Sequence, residues 1–158
     1  MTITVKFSEI LKKVIVRLSY ISGKRAKTGE DYFRHSACGV DSALLHDFFK
    51  ECAARIQARL GCKAEGSELI QEGQTGQSEP DTFFHLKIVG NASGAHLEAA
   101  MGILLERIFI SYIIYRWLLH TGMEGAEAFL EETEESMQGL IRGAGGGAGL
   151  FLRPISPF

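Results

Sequence analysis

The segment that most constrains the fold is residues 103–119, because its apolar side chains leave no polar face on a helix. At about 100° per residue, they point in nearly every direction around the axis. They are Ile103, Leu104, Leu105, Ile108, Phe109, Ile110, Ile113, Ile114, Trp117 and Leu118. A helix that is apolar all round is either buried at the centre of a protein or spans a membrane.

Three charged residues in this segment, Glu106, Arg107 and Arg116, argue against a membrane span. A span needs about 20 mostly apolar residues. Each central charge costs roughly 2.5–3.5 kcal/mol on insertion, whereas each large apolar residue returns only about 0.3–0.6 kcal/mol. The charges therefore cancel most of the apolar gain. We predict a helix buried inside a soluble protein, with no membrane partner.

Length and composition predict one domain in a reducing compartment. The chain has 158 residues, of which 46% are hydrophobic and 23% charged, which is enough for a single core. Residues 1–7 do not form an apolar secretion signal. Cys38, Cys52 and Cys62 are odd in number and contain no Cys-x-x-Cys pair, which disfavours a disulfide framework. We expect a cytoplasmic location, or the virion if the chain is phage-derived.

Apolar residues at three- and four-residue spacing predict three helices besides the central one. They are expected near residues 8–22, 42–60 and 123–141, each with one apolar stripe that can cover a side of the central helix. The last of them has glutamates opposite its apolar stripe.

The segment between the second helix and the central helix is β-prone over about 64–90. Strands are expected near 67–71 and 82–89, and a further short strand at 2–7. The predicted fold is mainly α: about four helices packed around a central apolar helix, with a small β-hairpin inserted between helices two and three. This single helical domain is expected to cover residues 1–142.

Local sequence signals refine the expected ends of the helices. Ser8 is the expected N-cap of the first helix. Thr121 and Glu124 fit a capping box before the last helix. On the second helix, Glu51 and Arg55 are four residues apart, so we expect them to support each other as a pair.

A glycine-rich segment, 143–149, follows the last helix. Each glycine costs roughly 1 kcal/mol in a helix, so we predict a flexible tether. A phosphate-binding loop would instead need a preceding strand and a following Gly-Lys-Ser/Thr. The tail, 150–158, is apolar. We expect its residues Phe151, Leu152 and Arg153 to dock onto a neighbouring copy.

The formal net charge of −2 is unevenly distributed. Residues 1–63 hold 12 Lys or Arg and 6 Asp or Glu, whereas residues 64–158 hold 5 and 13. The two halves therefore carry +6 and −8. Such halves attract each other within one fold or between neighbouring copies, and the second case suits a head-to-tail ring or stack. We predict a homo-oligomer.

The charges in the central helix need partners, because a buried unpaired charge costs several kcal/mol. Either Glu106, Arg107 and Arg116 pair within the chain, or they meet a second subunit. We predict the second arrangement. Trp117 belongs to a residue type enriched at interfaces and is assigned to this one, with a place in the core as the alternative.

A basic stretch near the N-terminus suggests contact with nucleic acid. Tyr20 is interleaved among six cations within sixteen residues, a density suited to a stretch that follows a phosphate backbone. The alternatives are a solvated helix face or a surface for an acidic neighbour. The cations are Lys12, Lys13, Arg17, Lys24, Arg25 and Lys27.

No residue pattern predicts catalysis, a metal site or a cofactor. The histidines lack the spacing of a zinc site, and His46 is expected on the solvated face of its helix. The glutamates of the last helix lack the Glu-x-x-His of a di-metal bundle, so they predict a solvated or partner-facing surface.

Two predicted helices carry longer residue patterns. The second reads Asp41-x-x-Leu44-Leu45-x-x-Phe48-x-x-x-Cys52-Ala53-Ala54-x-Ile56-x-x-x-Leu60-Gly61, and the central one contains Ala99, Ala100, Leu104, Leu105, Tyr112, Tyr115 and Arg116. Across less than a third of the chain, they resemble two helices of head–tail connector (adaptor) proteins of tailed bacteriophages. The chain departs from that family in its long basic N-terminal segment and its glycine tether. The resemblance implies a ring-forming protein between portal and tail.

We therefore predict a non-enzymatic, self-associating structural protein, specifically a head–tail connector or another virion-assembly component of a phage or prophage. Portal or tail proteins would be its further partners. The alternative is a nucleic-acid-binding or DNA-packaging accessory protein that uses the basic N-terminal stretch.

Overall fold

A computed structural model describes residues 1–25, 27, 29, 36–38, 41–72, 81–88 and 95–145. Their helices are α1 (Phe7–Arg25), α2 (Ser42–Leu60), α3 (Ala95–Thr121) and α4 (Ala126–Ala144). Their strands are β1 (Thr2–Lys6), β2 (Ala64–Glu72) and β3 (Asp81–Ile88), and a 3-10 turn, Gly61–Lys63, connects α2 to β2. The prediction of a mainly helical protein with a small β element is confirmed.

The strands form one antiparallel sheet in the order β1–β3–β2. Ile3 of β1 lies opposite Leu86 of β3, and both are buried, whereas Thr2 and Thr4 are exposed. One face of the sheet therefore packs on the helices and the other is open, as is common in antiparallel sheets. The short N-terminal strand thus belongs to the same sheet as the two later strands.

Asp81 of β3 lies at the start of α1 and takes the role that the sequence assigned to Ser8. The helix begins at Phe7, and the Ser8 N–H donates to Asp81 Oδ1 at 3.3 Å. Burial alone would raise the pKa of Asp81, but hydrogen bonds from Ser8 and Lys6 outweigh it and lower that pKa. The positive end of the helix dipole also stabilises a carboxylate at this position. The Ser8 N-cap prediction is therefore wrong.

Helix α3 is buried over its whole middle section, residues 108–114. Helix α4 packs along it, while α1, α2 and β1 contact other parts of its surface. Phe109 stacks on Phe49 of α2 at 4.3 Å and meets Phe84 of β3 edge-on at 5.4 Å. The all-round apolar sequence is explained by this burial. Among the described residues, no helix combines the length and apolarity needed to cross a membrane.

The turn between α3 and α4 is a Schellman motif instead of the predicted capping box. Gly122 has φ +69°, the Met123 N–H donates to the Leu118 carbonyl at 2.9 Å, and the Gly122 N–H donates to Leu119. The Thr121 hydroxyl donates back to the Trp117 carbonyl, so Thr121 ends α3 and does not cap α4.

Helix α4 extends two residues into the segment predicted as a tether. Gly143 and Ala144 are helical and buried, because these small residues fit against neighbouring elements and burial offsets their propensity cost. The Gly145 N–H closes the helix by donating to carbonyls one turn back. Residues 146–158, including Phe151, Leu152 and Arg153, lie outside the described residues.

Candidate functional site

The outward face of α1 carries the predicted basic stretch. Ile10, Val14 and Leu18 are buried against the core, which turns the residues between them towards solvent. Lys27 is exposed beyond the helix, and the side chain of Arg25 is not among those described. The exposed cations on the helix are Lys12, Lys13, Arg17 and Lys24.

One of these cations connects α1 to α3. Lys13 Nζ lies 2.5 Å from Glu106 Oε2, and both side chains are partly exposed. Lys24 lies over the ring of Tyr20, with 4.6 Å between Nζ and the ring centroid. In the described part of the chain, Lys12 and Arg17 form no ion pair. The face therefore keeps cations that are available to a partner.

Exposed apolar side chains lie on both sides of this ion pair. Val16 is 69% exposed and Tyr20 64% exposed on α1, and Ile103 is 52% exposed on α3. Val16 lies one helical turn from Lys13, and Ile103 one turn from Glu106, so each is a neighbour of the pair. We call this the α1–α3 surface, comprising Lys13, Val16, Arg17, Tyr20, Ile103 and Glu106.

The other charges of the predicted interface are mostly accommodated within the chain. Arg116 Nη1 donates to Glu51 of α2 at 2.8 Å and lies over the Phe48 ring. Trp117 is buried, and Arg107 is half-buried with no ion pair in the described ranges. Glu106 and Arg116 therefore have partners within the chain. Their charges no longer require a second subunit.

A polar network between α2, α3 and α4 was missed by sequence reasoning. Arg55 and Arg59 of α2 both donate to the Glu134 carboxylate of α4, Arg59 at 3.0 Å. Burial, and then a hydrogen bond to Glu51, raises the pKa of Tyr112 to about 12. The predicted Glu51–Arg55 pair is wrong, since each residue binds a different helix. The sequence shows the four-residue spacing of the charges on α2, but it does not show which distant residues pair with them.

Helix α4 has a row of exposed glutamates on its outward side. Glu127, Glu131 and Glu135 follow one another at four-residue steps, and none has an ion pair within the described chain. Like charges at this spacing repel each other by roughly 0.2–0.5 kcal/mol per pair. We call these three residues the α4 acidic stripe. They confirm the expected position of the glutamates opposite the apolar side of α4.

The open face of the sheet forms a groove of about 490 Å³. Glu68, Ile70 and His85 contribute to its lining, and the Thr4 hydroxyl lies 2.9 Å from His85 Nδ1. The groove thus combines polar groups with one aliphatic side chain. Its lining therefore offers hydrogen-bonding groups to a ligand.

His46 has a structural position and is not on the solvated face that the sequence predicted. Its Nε2 lies 2.7 Å from the Thr82 hydroxyl, and its ring contacts Phe7. Burial, and then the charge of Lys50, lowers the pKa of His46. The residue therefore connects α2 to β3. Among the residues whose positions are described, no cluster of His, Cys, Asp or Glu could hold a metal ion.

Comparisons with known proteins do not assign the chain to a family. No protein-family model matches it, and no curated protein or solved structure does either.

Proposed function

We propose that this protein is a non-enzymatic structural subunit that associates with other copies of itself through the α1–α3 surface. The observation that carries the proposal is the group of exposed apolar side chains, Val16, Tyr20 and Ile103, around one ion pair. Apolar groups surrounded by polar residues are typical of protein interaction sites. Burying them between copies removes apolar area from water, which favours association.

The composition of this surface also fits a protein interface. Tyrosine and arginine are enriched at the centres of interfaces, and Tyr20 and Arg17 lie next to Val16 on the same face of α1. The cations around them would fix the orientation of the partner, since charge complementarity contributes specificity.

A head–tail connector, or another virion-assembly component of a phage or prophage, is the more specific form of this proposal. It rests on the resemblance of α2 and α3 to connector helices. In that role, copies would form a ring and portal or tail proteins would be further partners. The predicted docking of Phe151, Leu152 and Arg153 onto a neighbour belongs to the same hypothesis.

Variants of the α1–α3 surface test the proposal. Val16→Glu and Tyr20→Ser are exposed changes that should leave folding intact. We expect both to lower the average mass measured by light scattering after gel filtration, relative to wild type at the same concentration. Val16→Glu should have the larger effect, because it places a charge in the contact.

Leu119→Glu is the matched control, because Leu119 is 54% exposed near the end of α3, outside the α1–α3 surface. It should associate as the wild type does. Equal masses for wild type and Val16→Glu would contradict the proposal.

The second candidate is nucleic-acid binding, favoured by the outward cations of α1 and by Tyr20 among them. Its test is the anisotropy of a labelled DNA duplex at low and high salt. Binding that weakens steeply with salt, and that Lys12→Ala and Arg17→Ala reduce but Lys50→Ala does not, would support it. Lack of binding at low salt would exclude this alternative.

A further inference from the structure

We infer that the partner of the α1–α3 surface is the α4 acidic stripe of a second copy. This inference rests on the proposed self-association and identifies the face that the neighbour presents. Two sets of charges of opposite sign, neither with an ion pair to a described residue, lie on different helices, so one copy can present cations to the carboxylates of the next.

The charges of the two faces are complementary and available. Arg17 of the α1–α3 surface and Lys12, one turn before Val16 on α1, have no ion pair in the described part of the chain, and Glu127, Glu131 and Glu135 on α4 have none either. By contrast, Glu134 on a neighbouring side of α4 is already bound by two arginines of α2. The carboxylates of the stripe form no ion pair with any described residue, and a basic neighbour would relieve their mutual repulsion.

The spacing of the charges also agrees. At 1.5 Å per residue, neighbouring glutamates of the stripe are separated by about 6 Å along the helix. Glu127 and Glu135 span about 12 Å, which is close to the roughly 10.5 Å between Arg17 and Lys24. Two helices laid side by side can thus oppose several cations and carboxylates at once.

A small residue next to the stripe leaves space for the apolar side chains of the α1–α3 surface. Ala128 is exposed on the same side of α4, one turn from Glu131. Its small side chain allows Val16 or Tyr20 of the neighbour to approach the helix between the glutamates. The contact would then have an apolar centre and charged borders, as stable interfaces do.

Each contact joins two different faces, because one copy uses α1 and the next uses α4. Within the chain, α1 packs on α2, α3 and the sheet, whereas α4 packs on α2 and α3. Two copies that pair both faces reciprocally form a closed dimer; otherwise the contact is heterologous, and each added copy leaves one α1–α3 surface and one stripe unused. Such contacts produce a ring if the rotation closes and a filament if it does not.

Charge reversal on each face tests the inference. Arg17→Glu places a carboxylate opposite the glutamates of the stripe, and Glu131→Lys places an ammonium group opposite the cations of α1. Each change brings like charges together. We expect each variant alone to associate about tenfold more weakly than wild type, as measured by sedimentation equilibrium.

An equimolar mixture of the two variants should regain the wild-type mass. In the mixture, one kind of contact joins the two substituted faces, whose charges are both reversed and therefore still opposite in sign. The other kind of contact joins the two native faces, with Arg17 of one copy opposite Glu131 of the next.

Matched charge changes elsewhere serve as controls. Lys50→Glu on α2 and Glu68→Lys on the open sheet face alter net charge equally but lie outside both faces. They should associate as wild type does, alone and when mixed.

The outcomes separate this inference from the proposed function. If Val16→Glu abolishes association but the mixture of charge variants does not regain it, the α1–α3 surface binds another face and the inference is wrong. If Val16→Glu has no effect, the proposed function itself is wrong. A mixture that associates no better than either variant would overturn the head-to-tail contact.

Discussion

Ser111 of α3 and Thr133 of α4 lie 2.9 Å apart, hydroxyl to hydroxyl, and both residues are fully buried. Each hydroxyl also lies 2.7 Å from the carbonyl four residues earlier in its own helix. The two groups have two hydrogens for three contacts, since a hydroxyl donates only once. One helix must therefore give up its internal bond when the bond between helices forms.

Removing both hydroxyls should cost about the sum of the single changes, because two shared hydrogens make only two bonds and each variant removes one of them. Ser111→Ala and Thr133→Val should each lower the free energy of unfolding by about 1 kcal/mol. In each single variant the remaining hydroxyl keeps a bond to the carbonyl of its own helix, so each change removes one of two bonds. A double-mutant cycle in urea measures the coupling, and a double variant that loses clearly less than the sum would contradict the expected sharing of hydrogens.

Arg55→Ala should destabilise the protein more than Arg59→Ala. Both arginines bind Glu134, but Arg59 is half-exposed and Arg55 also lies over the Tyr112 ring at 5.7 Å. Partly exposed ion pairs contribute little, so we expect about 1 kcal/mol for Arg55 and less for Arg59. Chemical denaturation of the two variants provides the comparison. A larger loss of stability for Arg59→Ala than for Arg55→Ala would show that the contact between Arg55 and the Tyr112 ring is unimportant.

The stabilising effect of Asp81 should depend on pH. Its lowered pKa means that the folded state favours the carboxylate, so its contribution is complete well above the ordinary pKa of about 3.9. The contribution falls as the pH drops through that value and then through the lower folded pKa. Asp81→Asn should therefore cost about 1 kcal/mol at pH 7 and progressively less below pH 4.

Urea unfolding of wild type and Asp81→Asn across this pH range tests the prediction. The control is Asp47→Asn, since Asp47 is 70% exposed and pairs with Lys50 on its own helix. A difference for Asp81→Asn that stays constant with pH would contradict the role of its charge at the start of α1.

Truncation at two points tests where α4 ends. Removing residues 143–158 deletes the buried Ala144 and the Gly145 N–H that closes the helix, whereas removing 146–158 keeps both. We expect the longer of the two products to be more stable by about 1–2 kcal/mol. Thermal unfolding of the two proteins side by side measures the difference. Equal stabilities would mean that α4 needs no residue beyond Arg142.

The sequence predicted those features that depend on local periodicity. The burial of residues 108–114 followed from their all-round apolarity, and the outward glutamates of α4 followed from the spacing of its apolar stripe. In each case the helical repeat decides which side chains can reach the core.

Features that depend on distant residues were not predictable in the same way. The pairing of β1 with β3 joins segments about eighty residues apart, and the carboxylate at the start of α1 comes from a similar distance. Glu51 and Arg55 matched a local rule, but tertiary partners on α3 and α4 were better placed. Gly143 is helical because tertiary burial overrides its low propensity.

The most direct test of self-association is sedimentation equilibrium of the wild-type protein over a range of micromolar concentrations. The account predicts an average mass above the 17.4 kDa of one chain, rising with concentration and falling when salt is added. A mass of 17.4 kDa at every concentration would contradict it.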